Sequence, residues 1–468
     1  MSRLVVVSNR VAPIKEGKAA AGGLAIGVYD ALRASGGIWF GWNGEVSGSA
    51  ELHSETHGNI TYVTRGLSRR HYDMYYRGFA NATLWPIFHY RIDLARYRRE
   101  EYEGYCEVNR MFAEQLQPLL QPDDVIWVHD YHLIPFADEC RRLGIRNRIG
   151  FFLHIPFPAP EILTAIPPHN ELFKTLCAYD LIGFQTEVDR QAFEDYIRRE
   201  VRGLIGSEGS MTAYGHNFRA KVYPISVMPD EIQQTASRYR GRRNLIGHNA
   251  DGQPCQTIIS VDRLDYSKGL IERFCAYDEL LQRFPEHRRN VQFVQIAPTS
   301  RSDVKTYQTL RQQLETQAGH INGRYAELDW MPLHYLNRSH ERRVLMGLFR
   351  GASVGLVTPL RDGMNLVAKE YVAAQNPANP GVLVLSRFAG AARELDAALI
   401  VNPYDIVGMA EALDRALRMP LAERKDRYEN MMRAIRDADL NAWRDSFLND
   451  LRGPSSRTVR AERIIRVV

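Results

Sequence analysis

Short apolar runs recur along the chain, and between them lie stretches in which apolar residues return every third or fourth position. The runs are LVVVSN (4–9), DVIWVHD (124–130), RIGFFLHIPF (148–157), DLIGFQT (180–186), TIISVDR (257–263), VQFVQIA (291–297), SVGLVT (353–358) and GVLVLS (381–386). Several are apolar on successive residues, which predicts strands covered on both faces in a parallel sheet. The stretch GLIERFCAYDELLQRF (269–284) has helical spacing, and MAEALDRALRMPLAERKDRYENMMRAI (409–435) reads as one or two long amphipathic helices. Strand–helix alternation sustained over this length predicts an α/β fold of doubly wound parallel sheets.

At 468 residues the chain exceeds the size at which one core keeps growing, so two domains are expected. A boundary falls near VYPISVMPDEIQ (222–233), where a strand runs into prolines ahead of the polar stretches SRYRGRRN (237–244) and GHNADGQP (247–254). This places the domains at 1–230 and 231–440, with a C-terminal segment, 441–468, whose end reads as a frayed tail rather than a functional arm. A net charge of +5 spread over this length permits anionic small molecules as partners and argues against a nucleic-acid binder. The five cysteines, Cys106, Cys140, Cys177, Cys255 and Cys275, include no CxxC pair. That fits a reducing compartment without disulfides or a zinc site. SRLVVVSNR is too short for a signal peptide and no later run approaches a membrane span, so a cytoplasmic protein with no membrane partner is expected.

In open parallel sheets ligands bind beyond the carboxyl ends of the strands. The first run delivers Ser8, Asn9 and Arg10, and after a loop Gly22 and Gly23 open an apolar helical pattern. Such a pair lets backbone amides approach a phosphate, and equally makes an ordinary turn. The second run ends in His129-Asp130-Tyr131-His132. Two histidines at a strand-to-helix junction point apart and lack a third ligand, so no metal is expected, and Asp130 reads as an acceptor for sugar hydroxyls. The third run ends in His154, held by PFPAP (156–160); a buried structural histidine is the equal alternative. Tyr75, Tyr76 and Trp85 offer apolar faces to a sugar ring or to a core.

The later strand ends are more pointed. VDRLDYSKGL (261–270) sets Arg263 and Lys268 past one strand, and APTSRSDV (297–304) sets Arg301 past the next. LVTPLRDGMNLVAKEYVAAQ (356–375) turns through Arg361, Asp362 and Gly363 and launches a helix at Met364 to Val367, with Glu370 one turn inside. A helix start beside arginine and lysine is an electrostatic cradle for a diphosphate. A carboxylate one turn further can accept two neighbouring ribose hydroxyls.

From VVVSNR through GGL, WFGW (39–42), LWPIFH, WVHDYHL, FFLHIPFP, DLIGFQT and VDRLDYSKG to VTPLRDGMNLVAKE, the chain resembles the trehalose-6-phosphate synthase family over roughly residues 3–440. The resemblance implies a GT-B architecture: two Rossmann-like domains facing across a cleft, the C-terminal helix returning to the first domain. It implies glucosyl transfer from UDP-glucose to glucose 6-phosphate with retention, giving α,α-trehalose 6-phosphate and UDP. Position by position it assigns the acceptor to Arg10, Tyr76, Trp85, Asp130 and Arg301. The donor falls to Gly22, Gly23, Arg263, Lys268, His340, Asp362, Gly363, Met364, Asn365, Leu366, Val367 and Glu370. His154, Arg263, Lys268 and Asp362 are the residues nearest the chemistry. Two departures stand out: PISVMPD (224–230) carries Ser226 and Met228 where the family has glycine and an acid, and His340 stands where enterobacterial members carry phenylalanine against uracil.

No strand end carries an Asp-x-Asp pair to hold a metal on the phosphates, which predicts a metal-independent reaction without a cofactor. No close carboxylate pair of a retaining hydrolase is visible either, which points to leaving-group-assisted transfer. A homo-oligomer, dimer or tetramer, is the expected assembly. The competing readings are a related transferase with another nucleotide or acceptor, and a non-catalytic nucleotide-sugar sensor; the sensor predicts loss of donor or acceptor residues that are all present here.

Overall fold

The structure is a computed structural model that describes residues 2–11, 23–47, 51–239, 255–299 and 305–453. The chain forms two compact units, Met1–Pro224 with Trp443–Val468, and Ile225–Ala442.

In the N-terminal unit the strands are β1 (Leu4–Arg10), β2 (Gly37–Val46), β3 (His53–His57), β4 (Ile60–Leu67), β5 (Val125–His129), β6 (Arg148–Phe152), β7 (Leu181–Phe184), β8 (Leu204–Ile205), β9 (Ser210–Ala213) and β10 (His216–Val222). They form one sheet in the order β3-β4-β2-β1-β5-β6-β7-β10-β9-β8. The strands from β4 to β10 in that order run parallel, while β3 and the β9–β8 end pair antiparallel. The order reverses between β1 and β5, so this is where the sheet opens a crevice at its carboxyl edge.

The helix Leu440–Arg452 belongs to this unit from Trp443 onward. Trp443 and Phe447 lie on the Trp127 ring at centroid distances of 4.9 and 5.1 Å. Asp450 accepts from Tyr223 Oη at 2.7 Å and Lys221 Nζ at 3.1 Å.

The C-terminal unit holds β11 (Gln256–Val261), β12 (Val291–Ile296), β13 (Leu333–Leu336), β14 (Val354–Val357), β15 (Val382–Ser386) and β16 (Leu399–Val401). All pairs are parallel, in the order β13-β12-β11-β14-β15-β16. This is the doubly wound order with its switch point between β11 and β14. Ile258, Phe293, Val354 and Val384 from the strands meet Phe274, Tyr277 and Leu413 from the helices in one buried core. The α/β class read from the alternating pattern is what the chain adopts.

All eight apolar runs form strands. The third stops at Phe152, so His154 stands on an extended loop and not on the strand; Pro156 and Pro158 have no N–H to continue a ladder. The late amphipathic stretch is two helices, Ile406–Arg418 and Leu421–Asp437, because Pro420 holds Met419 extended between them. At the crossover, Ser226 is buried. Asn441 Nδ2 donates to the Met228 sulfur at 3.5 Å, and Leu440 N donates to Val227 O at 3.2 Å. Among the described residues no helix is long and apolar enough to cross a membrane.

Candidate functional site

In the C-terminal unit β11 ends at Val261 and the chain turns before the helix Leu270–Arg283. The buried Asp265 caps the short turn Tyr266–Lys268, its Oδ1 accepting from Ser267 N at 3.0 Å, and its Oδ2 accepts from Tyr307 Oη at 3.0 Å. Gly269 follows at φ +67, and a Cβ there would stand 2.3 Å from Thr358 O. Only glycine lets the two loops of the switch point approach this closely. Leu360 N donates to Ser267 O at 2.8 Å and closes the pair of loops.

The turn carrying Arg263 and Lys268 is therefore fixed, and its two cations differ. Arg263 is exposed. The Lys268 ammonium lies 2.5 Å from Asp362 Oδ2 and 3.9 Å from Asp262 Oδ1. Burial alone would pull its pKa down, but the fields of Asp362 and Asp262 outweigh burial and hold the ammonium above its ordinary value.

Asp362 also accepts from Asn365 Nδ2 at 3.0 Å. Asn365 precedes the helix Leu366–Ala374 at φ +71, a conformation that costs an ordinary residue about 1 kcal/mol or more. The loop Asp362 to Met364 is tied from behind: Gly390 N donates to Asp362 O at 3.2 Å and Ala391 N to Met364 O at 2.9 Å. The amides of Leu366 and Val367 belong to the first helical turn, which has no intrahelical acceptor for them and favours an anion. One turn on, Glu370 is mostly buried and faces Arg342 at 3.5 Å. Burial raises its pKa, and Arg342 partly opposes the shift. His340 precedes the helix that carries Arg342; burial and Arg338 lower its pKa, and its Nε2 has no hydrogen-bond partner among the described residues.

The N-terminal unit equips its own switch point with rings. Arg10 leaves the end of β1 and lies over Gly44, where a Cβ would meet its guanidinium at 2.7 Å. Asn9 Oδ1 accepts from Tyr75 Oη at 2.8 Å. Tyr75 and Tyr76 stand on a π-helical segment, Tyr72–Leu84, broken at Gly78. Tyr76 lies against Trp42 at 5.3 Å and parallel to His132 at 5.8 Å. Past β5, Asp130 has φ +77 and ψ 166, a region nearly reserved for glycine, and its Oδ1 accepts from His154 N at 3.2 Å. Trp85 is buried, 4.1 Å from His89 and 5.6 Å from Tyr131, whose hydroxyl donates to Asn81 Oδ1 at 2.8 Å.

His154 Nε2 and His129 Nδ1 are 3.0 Å apart. Burial pushes His154 down to about 3, and burial with the neighbouring His154 takes His129 well below the usual range. Both imidazoles are neutral at pH 7.

The structure thus gathers Arg10, Tyr76, Trp85 and Asp130 in one unit, and Arg263, Lys268, Asp362 to Val367 and Glu370 in the other. Gly23 opens the helix Gly23–Ser35, while Gly22 and Arg301 lie outside the described residues. Asp262, Arg273 and Arg342 were not read from the sequence. Arg273 had a signal, a charge on the stripe that Leu270, Phe274 and Tyr277 make on their helix. No group of three His, Cys, Asp or Glu residues that could hold a metal is present among the described residues.

A profile described as glycosyltransferase family 20 matches residues 3–453. A trehalose-6-phosphate synthase of Cronobacter sakazakii is 55% identical over 463 residues, 99% of this chain and 98% of its own. A solved UDP-forming α,α-trehalose-phosphate synthase of Burkholderia xenovorans, in complex with glucose 6-phosphate, is similar at TM-score 0.92 and 57% identity, covering 97% of this chain and 100% of that one. The E. coli protein bound with UDP-2-fluoro glucose is similar at TM-score 0.92 and 55% identity, over 96% of this chain and 99% of that one.

Proposed function

The chain belongs to glycosyltransferase family 20, and we propose that it separates the task of glucosyl transfer between two switch points, donor on the C-terminal unit and acceptor on the N-terminal unit. The enzyme is a UDP-forming trehalose-6-phosphate synthase that transfers glucose from UDP-glucose to glucose 6-phosphate. Its fold class is GT-B, built from two Rossmann-like sheets.

The observation that carries the donor reading is the Lys268–Asp362 pair at the point where the strand order reverses. Arg263 and Lys268 neutralise the diphosphate, with Gly22 and Gly23 against it. Asp362 and the backbone of Gly363 to Asn365 hold the glucose. Leu366, Val367 and Glu370 take the nucleoside, and His340 covers the base. On the acceptor, Arg10 and Arg301 with Tyr76 grip the phosphate, while Trp85 and Asp130 hold the ring and its hydroxyls.

As the glycosidic bond breaks, negative charge grows on the β-phosphate. The two cations and the first-turn amides act where that charge develops, so they stabilise the transition state more than bound donor. The acceptor hydroxyl attacks from the leaving-group face and passes its proton to the departing phosphate oxygen, which retains the anomeric configuration. His154, neutral at pH 7 because burial holds it near 3, offers a hydrogen bond to the reacting sugar without adding charge. Because protein groups meet the phosphate charge, the reaction needs no divalent cation.

Purified protein incubated in EDTA with each nucleotide-glucose and glucose 6-phosphate tests the whole reading. Proton NMR is expected to show an α,α-linked disaccharide phosphate from UDP-glucose. A requirement for added metal would overturn the cation assignment, and no disaccharide from any donor would overturn the enzyme reading.

A further inference from the structure

Arg273 is a charged side chain with no exposure, set inside the core next to the donor turn. Its guanidinium makes four hydrogen bonds. Nε donates to Thr358 Oγ1 at 3.0 Å, Nη1 to Ser260 Oγ at 2.5 Å, and Nη2 to Asp262 Oδ2 and Lys268 O, each at 2.8 Å. Ser260 is the penultimate residue of β11, Thr358 follows β14, and Asp262 and Lys268 O belong to the turn that leads from β11 to the helix Leu270–Arg283. One planar fork therefore joins both strands of the switch point to the backbone of Lys268.

Its charge bears on Lys268 as well. Asp262 divides its two oxygens, Oδ2 to Arg273 and Oδ1 toward the Lys268 ammonium at 3.9 Å. Lys268 in turn touches Asp362. The charges alternate from Arg273 through Asp262 and Lys268 to Asp362, two of each sign in a buried row. Without Arg273 the row would hold one lysine between two carboxylates, one of them a buried anion lacking its nearest counter-charge. That arrangement draws the ammonium back and repels an anionic ligand.

We propose that Arg273 is a positioning residue of the donor site: it neutralises Asp262, so that the Lys268 ammonium remains available to the diphosphate. The inference rests on the reading of Lys268 as a diphosphate ligand, and predicts a coupling that a purely structural arginine would not produce. Arg273→Met weakens UDP binding by about tenfold or more, as expected for an uncompensated buried charge beside the ligand. Asp262→Asn, which makes the row more positive, tightens UDP several-fold. The double variant Arg273→Met/Asp262→Asn returns to within about threefold of the wild type, because the charge that Arg273 balanced is gone.

Calorimetric titration of the full chain with UDP, with melting temperatures alongside, reads all three. A double variant binding worse than Arg273→Met alone would overturn the proposal and mark Arg273 as structural. Should Arg273→Met fail to fold, Asp262→Asn still decides, since unchanged or weaker UDP binding contradicts the charge argument. Lys268→Ala separates the two levels. If it binds UDP like the wild type, the donor assignment itself falls. If it loses UDP while Arg273→Met keeps it, only the present inference falls.

Discussion

The two units share one doubly wound strand order around their switch points and furnish them in different chemical currencies. In the C-terminal unit the crevice between β11 and β14 is bounded by ion pairs, Lys268 with Asp362 and Arg342 with Glu370. In the N-terminal unit the crevice between β1 and β5 is bounded by rings, Tyr76 on Trp42 and His132, and Trp85 on Tyr131. Each places a non-glycine residue at positive φ beside the crevice, Asn365 at +71 and Asp130 at +77. Such backbone costs on the order of 1–3 kcal/mol and persists where the surroundings over-determine it. Sheet topology thus fixes where a ligand can sit, and the side chains at the strand ends fix which ligand it is. A nucleoside diphosphate calls for charge and first-turn amides; a hexose phosphate calls for one phosphate grip and apolar ring faces.

The contrast can be broken most severely at Lys268. Lys268→Ala is expected to lower kcat by about 10²- to 10³-fold, the scale of losing one preorganised transition-state donor, measured with both substrates saturating. A KM change for donor with kcat intact would show that Lys268 binds without assisting departure. A smaller effect is expected at the other switch point. Arg10→Ala should raise KM for glucose 6-phosphate about 10- to 100-fold, the loss of a charge-assisted contact to phosphate. An unchanged acceptor KM would remove Arg10 from the acceptor site.

The paired histidines sharpen the comparison through pH. His154 has its pKa pushed down to about 3, against an unfolded value of 6.5. A histidine held neutral in the fold contributes stability that is present above the unfolded pKa and is lost as pH falls from there toward the folded value. Between pH 7.5 and 5 the protein should therefore lose roughly 1–2 kcal/mol from this side chain, and His154→Asn should flatten that slope in urea titrations. Equal slopes for both proteins would mean that His154 titrates normally.

Much of this was legible beforehand, and unevenly. The eight apolar runs declared their strands because strands buried on both faces admit few polar residues. The strand His53–His57 did not, since all five of its residues are exposed and polar at the sheet edge. β2 gave no strand signal of its own, because its aromatic centre WFGW is indistinguishable from a helical core segment in composition. At the donor site the charges and the Gly363 turn were visible because they are local in sequence. The partners that set their strength, Arg273, Asp262 and Arg342, act across 11, 6 and 28 residues to Asp262, Lys268 and Glu370 respectively, distances that only the fold closes. Asp130 was legible as an acceptor for sugar hydroxyls, but its positive φ carried no signal, since aspartate in a WVHDYHL run reads as an ordinary strand end.

The claim underlying the comparison is that nucleotide affinity resides in the C-terminal unit. Titrating UDP in EDTA into Arg263→Ala and Arg10→Ala, side by side with the wild type, tests it most directly. The account predicts that Arg263→Ala weakens UDP by about tenfold or more, the scale of one charge-assisted phosphate contact, while Arg10→Ala binds it as the wild type does. Wild-type UDP affinity in Arg263→Ala, or a comparable loss in Arg10→Ala, would contradict it.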